Sequence, residues 1–353
     1  MLTFPAESVS LHIDRRYMYY NEFKSPALVK FGSGILRNIH DIILEAHFYF
    51  RNKILVTQEA LYGQYRALFG SDAFTDVVLV QGGAVSEAPA LIDRLKAMDA
   101  MAIAFGGGSV IDLVKYAATR SETPYVTVPS ALSNDAFYSS VARLVSGGKK
   151  RSYAVLPPVG IIVDLDVVRQ APVELQLAGV GDLVSNLSAV KDWYLASRET
   201  GEKINELAYM LARMAPLPMF SYSADDCLQD SFLIDLAGGL LTSGLSMMAC
   251  GSSRGASGSE HLISHAIDEY FPERATIHGL QVAWAHLMIE KHCRRDEAAY
   301  GRLSGFFERI GVLNAIRENV TWTDEDFLRL IPLARTIRNR YTIFDSPTFQ
   351  REG

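Results

Sequence analysis

Asp182, His261, His265 and His278, all in the second half of the chain, are of the types that hold divalent metals. His261 and His265 stand four apart in Gly258-Ser259-Glu260-His261-Leu262-Ile263-Ser264-His265-Ala266-Ile267-Asp268, a spacing that puts both imidazoles on one face of a helix. Pro272 breaks that run, and Thr276-Ile277-His278-Gly279 opens the next helix with a third imidazole. Asp182, in Gly179-Val180-Gly181-Asp182-Leu183, reads as the start of the first long helix of this half and offers a carboxylate oxygen. One carboxylate with two imidazoles suits Zn²⁺, Fe²⁺ or Ni²⁺, and a three-ligand set leaves a position open for a substrate oxygen, as catalytic sites do. Spacing alone leaves His261 and His265 equal candidates. A plainer reading makes Asp182 an N-cap and the histidine pair a buried hydrogen-bonded couple. His12, His40, His47, His286 and His292 lack such partners in the sequence.

A second chemistry is written in the first half. A β-rich run from Ala100 to Phe105 leads into Gly106-Gly107-Gly108-Ser109 and then an amphipathic helix from Val110 to about Thr119. Glycines allow a tight turn and close backbone approach, while the free amides and dipole of a helix start favour a diphosphate. The spacing departs from G-x-G-x-x-G, because Ile111 stands where the third glycine would be. Past the next strand come Ser130-Ala131-Leu132-Ser133-Asn134-Asp135, then Ser139 and Ser140. In a parallel sheet this loop shares an edge with the glycine turn, which places its hydroxyls for a cofactor and Asp135 for a substrate hydroxyl. The alternative is a Ser or Asx turn that satisfies its own backbone. Gly147-Gly148-Lys149-Lys150-Arg151 reads as an exposed hairpin turn whose cations could also approach a phosphate.

These groups need a scaffold, and the pattern supplies one. Short apolar runs at Lys53 to Thr57, Asp76 to Val80, Ala100 to Phe105, Tyr125 to Pro129 and Gly160 to Asp164 alternate with helical stretches, which predicts a parallel sheet covered on both faces. After Gln170-Ala171-Pro172 the periodicity is helical, as in Leu183, Leu187, Val190 and Tyr194. The expected fold is therefore α/β: a Rossmann-like parallel-sheet domain over residues 1–170, then an all-helical domain over residues 171–353, with chemistry in the cleft between them.

With 353 residues, 49% of them hydrophobic, core size is not limiting. The net charge of −6, with no long block of Lys or Arg, argues against nucleic acid as a partner. Cys227, Cys250 and Cys293 are too scattered for a disulfide framework or a zinc knuckle, which fits a reducing compartment. The segment Met1-Leu2-Thr3-Phe4-Pro5-Ala6-Glu7 lacks a basic region leading into an apolar core, and no later run reads as reaching membrane-spanning length. A cytoplasmic location without membrane insertion is the expectation.

At this point the chain resembles the superfamily of iron-containing alcohol dehydrogenases and dehydroquinate synthases, and within it the glycerol-1-phosphate dehydrogenases. The resemblance rests on Phe31-Gly32-Ser33-Gly34, Gly106 to Asp112, Val128-Pro129-Ser130-Ala131-Leu132-Ser133-Asn134-Asp135, Ala178 to Asn186 with Asp192-Trp193, Ser257 to His261, and His278-Gly279-Leu280-Gln281-Val282. It implies an NAD- or NADP-dependent dehydrogenase acting on a phosphorylated polyol, interconverting dihydroxyacetone phosphate and sn-glycerol 1-phosphate, and a homo-oligomer is expected. Carried over by position, it implies that Gly106, Gly107, Gly108, Ser109, Val110, Ile111, Asp112, Ser130, Ala131, Leu132, Ser133 and Ser139 bind the dinucleotide. It implies Asp182, His261 and His278 as ligands of one divalent ion, Zn²⁺ first and Ni²⁺ or Fe²⁺ as alternatives. Asp135, Asp182 and His265 then contact substrate, with Asp182 and His265 in catalytic roles. The chain departs from the family pattern at Ala136, where glycine is usual, and at Ser130, where threonine is usual. Its first strand ends Val56-Thr57-Gln58-Glu59, without an acidic residue clearly placed for an adenosine ribose, so NAD and NADP are not separated. A glycerol dehydrogenase-like enzyme, a dehydroquinate-synthase-like cyclase and a non-catalytic dinucleotide-binding module are the competing readings.

Overall fold

The computed structural model describes residues 25–70 and 73–350; His12 and the opening Met1 to Glu7 segment lie outside them. Among the described residues, six parallel strands form the central sheet: β1 (Leu28–Gly32), β2 (Asn52–Thr57), β3 (Asp76–Leu79), β4 (Ala100–Gly106), β5 (Tyr125–Pro129) and β8 (Gly160–Asp164), in the order β1-β8-β5-β4-β2-β3. The five expected strands are all present, and the edge strand β1 is added to them. Both faces are covered, as the near-continuous apolar runs require: Ile54 and Val56 enter the main core, while Leu55 between them enters the core on the other face.

From β2 the chain moves outward to β3 and then returns to the other side of β2 as β4. That reversal is a topological switch point, where a crevice opens beyond the C-terminal strand ends. The glycine turn closing β4 lies there. Between β5 and β8 a hairpin intervenes, β6 (Val141–Ser146) paired antiparallel with β7 (Lys149–Ala154). Its turn is Gly147-Gly148, both with positive φ (59° and 79°), so the tight connection depends on glycine.

From Leu165 onward the described elements are helical. The main apolar core nevertheless runs through both halves, from Ile54 and Val110 to Leu236, Leu280 and Phe344. The Asp230–Cys250 helix, 21 residues long, is long and apolar enough by length and composition to cross a membrane, against the expectation that no run reaches that length. It is apolar on several faces because Phe232, Leu233, Leu236, Ala237 and Leu240 are all buried in that core. Cys227, Cys250 and Cys293 are unpaired.

A second correction concerns Asp182. It does not begin a helix; it occupies the last turn of the Val173–Val184 helix, and Ser185 separates that helix from the next, Asn186–Thr200. The unbroken periodicity of Leu183, Leu187 and Val190 conceals the break, because the chain stays near helical angles at Ser185 (φ −61°, ψ −20°). The N-cap reading of Asp182 is thereby removed. A carboxylate at the negative end of a helix is disfavoured unless a positive group answers it.

Candidate active site

Three helices supply that answer. Asp182 ends one, His261 lies in the first turn of the Ser259–Tyr270 helix, and His278 opens the His278–Met288 helix. Nε2 of His261 is 3.3 Å and Nε2 of His278 is 3.8 Å from Oδ1 of Asp182. One ligand atom from each residue lies within 4.8 Å of the others. Ligands about 2.1 Å from a tetrahedral ion are about 3.4 Å apart, so the set fits a small divalent metal. The outer atoms of each ligand are also engaged. The amide of Asp135 donates to Oδ2 of Asp182 at 3.2 Å, Nδ1 of His261 meets Oε1 of Glu260 at 3.0 Å, and Nδ1 of His278 meets Oγ of Ser264 at 2.9 Å. Nδ1–H donors on both rings leave both Nε2 lone pairs free for a metal. Gln281 donates to the same Ser264 hydroxyl at 3.0 Å. Ser264→Ala is therefore expected to weaken metal affinity by about 10- to 100-fold through loss of His278 orientation, measured by competition with a chelating dye.

Close backbone approach is what lets the three helices meet. A Cβ at Gly279 would stand 2.0 Å from the carbonyl oxygen of Ala178, and one at Gly181 would stand 2.6 Å from the carbonyl oxygen of Gly279. The Val173–Val184 and His278–Met288 helices thus touch backbone to backbone beside Asp182 and His278. Asp192 anchors the third helix by accepting from the amide of Ser259 at 2.7 Å, and a Cβ at Gly258 would reach 2.7 Å from that same carboxylate. The motif glycines and Asp192 thus set the positions of Asp182, His261 and His278 from outside that group.

His265 completes a cluster of three rings, its centroid 6.0 Å from that of His261 and 5.9 Å from that of His278. It lies outside the three-residue ligand group, so geometry separates the two histidines that spacing left equal. Burial, reinforced by the charges of Arg143 and Arg338, holds the His265 pKa well below the usual imidazole range, so its ring is neutral at pH 7. Burial followed by the charge of His261 lowers His278 to about 4. At His261 burial also works against the proton, but Asp182 and Glu260 outweigh it and raise the pKa to about 9. A divalent ion would take over the role that proton plays between the two carboxylates. Burial, then Asp182, raises the Asp135 carboxyl to about 7.

These residues open on a cavity of about 360 Å³ whose wall also includes Gly108, Ser109, Asp112, Asn134, Ala136 and Ser139. The helix after the glycine turn is Gly108–Ser121. Its leading amides are the ones a helix start leaves without internal partners. The remaining turn residues have other roles. A Cβ at Gly106 would come 2.8 Å from Val110 Cβ, so that glycine permits helix-on-strand packing. Val110 and Ile111 are core side chains whose amides both donate to the carbonyl of Gly107 at 3.1 Å, and neither they nor Gly106 and Gly107 line the cavity. Ser130 is stitched by its amide to the carbonyl of Gly106, and buried Leu132 turns its carbonyl toward Gly179. Ser130, Ala131, Leu132 and Ser133 are not among the residues lining this cavity. Ala136 is accommodated, since its amide donates to Oδ1 of Asn134 at 2.9 Å and its methyl would sit 3.5 Å from a Cβ at Gly108.

Several residues escaped sequence reasoning. Lys115, fully buried, donates to Oδ1 of Asp112, the carbonyl of Ala136, Oγ of Ser139 and the carbonyl of Val141. Asp112 and Ser139 are thus committed to a brace beneath the cavity, and Asp112 also accepts from the amide of Arg143 at 3.0 Å. Gly82 and Gly83, with φ of 81° and 90°, fold over the start of the glycine-turn helix. Their pairing just after β3 was a legible turn signal. Arg143 and Arg338 also line the cavity, and nothing in their local sequence marked them.

A family model described as iron-containing alcohol dehydrogenase matches residues 31–172. The chain is 31% identical over 335 residues to the glycerol-1-phosphate dehydrogenase (NAD(P)+) of Hyperthermus butylicus, covering 90% of this chain and 92% of that one. It is 33% identical over 327 residues to the enzyme of the same name from Haloquadratum walsbyi, covering 91% and 92%. Its fold is similar to the crystal structure of glycerol dehydrogenase from Schizosaccharomyces pombe, with a TM-score of 0.71 at 20% identity over 92% of this chain and 85% of that one. The chain belongs to the iron-containing alcohol dehydrogenase family, in its glycerol-1-phosphate dehydrogenase branch.

Proposed function

We propose that this protein is an NAD(P)-dependent dehydrogenase that interconverts dihydroxyacetone phosphate and sn-glycerol 1-phosphate, with Zn²⁺ held by Asp182, His261 and His278. The observation that carries the reading is one cavity shared by the three-ligand group, the glycine-turn helix and two guanidiniums. The curated relatives, similar over about nine-tenths of the chain, are named for glycerol 1-phosphate and NAD(P)+, which supports one member of the substrate pair and the cofactor. In this reading residues 1–170 hold the dinucleotide and residues 171–353 supply the metal ligands.

When bound, the metal supplies Lewis acidity at the reacting oxygen and the nicotinamide supplies the hydride acceptor or donor. The chain's own residues do the rest. Asp182 has one oxygen fixed by the Asp135 amide, which aims the other at the two imidazoles. His265, neutral and next to the ligand rings, is placed to carry the substrate's hydroxyl proton on a ring nitrogen. Asp135, with a carboxyl pKa near 7, can hydrogen-bond a substrate hydroxyl as donor or acceptor. The Gly108–Ser121 helix start fits the diphosphate.

The test is a cofactor-coupled assay of dihydroxyacetone phosphate, dihydroxyacetone and glycerol after reconstitution with Zn²⁺, Ni²⁺ or Fe²⁺. Stoichiometric cofactor oxidation with dihydroxyacetone phosphate, fastest with Zn²⁺, is the expected result. Turnover confined to unphosphorylated substrates would make this a glycerol dehydrogenase-like enzyme. Phosphate release without net cofactor change would make it a cyclase.

A further inference from the structure

Part of the cavity wall is cationic and is not used by the metal ligands. Arg143 comes from β6, Lys150 from β7, and Arg338 directly follows the Asp324–Ile337 helix. All three line the cavity together with Ser257, His265 and Asp268. Asp268 pairs with two of them, its Oδ2 lying 3.2 Å from Arg143 and its Oδ1 3.1 Å from Lys150. Asp112 is balanced by Lys115 at 3.0 Å, and Glu269 by Lys149 at 2.6 Å. Three cations against the one carboxylate of Asp268 leave two positive charges, which matches the −1.5 to −2 of a phosphate monoester near neutral pH.

The hydrogen-bonding capacity points the same way. Nε and one terminal nitrogen of Arg143 are buried without a partner among the described residues, and so is Oγ of Ser257. Guanidinium nitrogens buried with open donors cost free energy unless an acceptor meets them, and the planar fork matches two oxygens of one phosphate. Arg338 donates to Oγ of Ser253 at 3.2 Å and Oγ of Ser152 at 3.4 Å, which holds it on the cavity wall. Both guanidiniums act electrostatically on His265, and His265 adjoins the metal ligands. A small molecule can therefore place one end at Asp182, His261 and His278, pass His265, and end among the cations. The amide of Arg143 is tied to Asp112 in the glycine-turn helix, so one brace positions the dinucleotide turn and this cationic wall together.

We propose that Arg143 and Arg338, with Ser257, form the subsite that takes the phosphate monoester of the substrate and selects it over the unphosphorylated analogue. The proposal deepens the dehydrogenase reading above and rests on it.

The experiment compares kcat/KM for dihydroxyacetone phosphate and dihydroxyacetone in the metal-loaded wild type, Arg143→Gln, Arg338→Gln and the conservative Arg338→Lys. Inorganic phosphate is titrated as an inhibitor of dihydroxyacetone reduction in each. The ratio of the two kcat/KM values is expected to fall by about 10²-fold in each glutamine variant, mainly through KM for the phosphorylated substrate, with partial recovery in Arg338→Lys. Phosphate inhibition weakens in parallel. Because the ratio is taken within one protein preparation, partial loss of folded enzyme cancels. Should Arg143→Gln fail to fold, Arg338→Gln alone decides the matter. A wild type that prefers the phosphorylated substrate, with a ratio and phosphate inhibition unchanged in Arg338→Gln, overturns this subsite while leaving the dehydrogenase reading intact. A wild type that reduces dihydroxyacetone but not its phosphate overturns both.

Discussion

Asp182→Ala is expected to strip the protein of its divalent ion and lower kcat/KM for dihydroxyacetone phosphate by about 10³-fold or more. The substitution removes the carboxylate that both ligand imidazoles face, at 3.3 and 3.8 Å. Two imidazoles remain, and the positive charge that Asp182 accommodates at the end of its helix loses its partner. The metal content of the purified variant, determined by elemental analysis, gives a readout besides activity. His265→Ala is the informative contrast: its metal content should match wild type while turnover falls, since His265 lies outside the ligand group. Full metal content in Asp182→Ala would mean that the ion is held elsewhere.

Gly279→Ala should be nearly as damaging although residue 279 carries no chemistry. The added methyl would lie 2.0 Å from the carbonyl oxygen of Ala178 and 2.6 Å from its carbonyl carbon, so one of the two helices must move. Overpacking of this kind costs about 1–3 kcal/mol, enough to lower the thermal midpoint by several degrees. The functional loss should exceed the stability loss. Asp182 and His278 ride on the two helices being forced apart, and a displacement of about 1 Å costs about 10²-fold in rate. Gly238→Ala is the matched control, because a Cβ there meets nothing within 4 Å in the middle of the Asp230–Cys250 helix. That variant should be neutral or slightly stabilised in a thermal melt. Equal behaviour of the two variants would show that the helix contact at Gly279 is not what positions the ligands.

Much of this was legible in the sequence, for physical reasons. Strands buried on both faces write themselves as short apolar runs, which is why β2, β4, β5 and β8 lie within a residue or so of the expected bounds, while β3, a half-buried edge strand, is marked only by the run Val77-Val78-Leu79. The edge strand β1 carries little signal in the sequence, since Leu28 alone of its residues is buried. Helix boundaries were less legible. Ser185 interrupts a run whose apolar period continues across it, so the sequence points to a helix start at Asp182 where the structure has the last turn of a helix. The Asp230–Cys250 helix does not read as a membrane-length run, because Asp235, Gly238-Gly239 and Thr242-Ser243 interrupt its apolar residues although the helix continues through them.

What the sequence determined by itself is the set of ligand types and the local geometry around each. The glycine turn follows a strand, two imidazoles share a helix face, and a third opens the next helix, because strand and helix periods are properties of neighbouring residues. The tertiary structure decided which of His261 and His265 faces Asp182, and it tied Asp112 and Ser139 to Lys115 beneath the cavity. It also brought Arg338 to the same cavity as Arg143, nearly two hundred residues earlier in the chain. Those outcomes depend on how closely whole helices approach, and that distance is set where Gly179, Gly181 and Gly279 let one backbone rest on another. No local period encodes such a contact, since its two sides are written far apart in the chain.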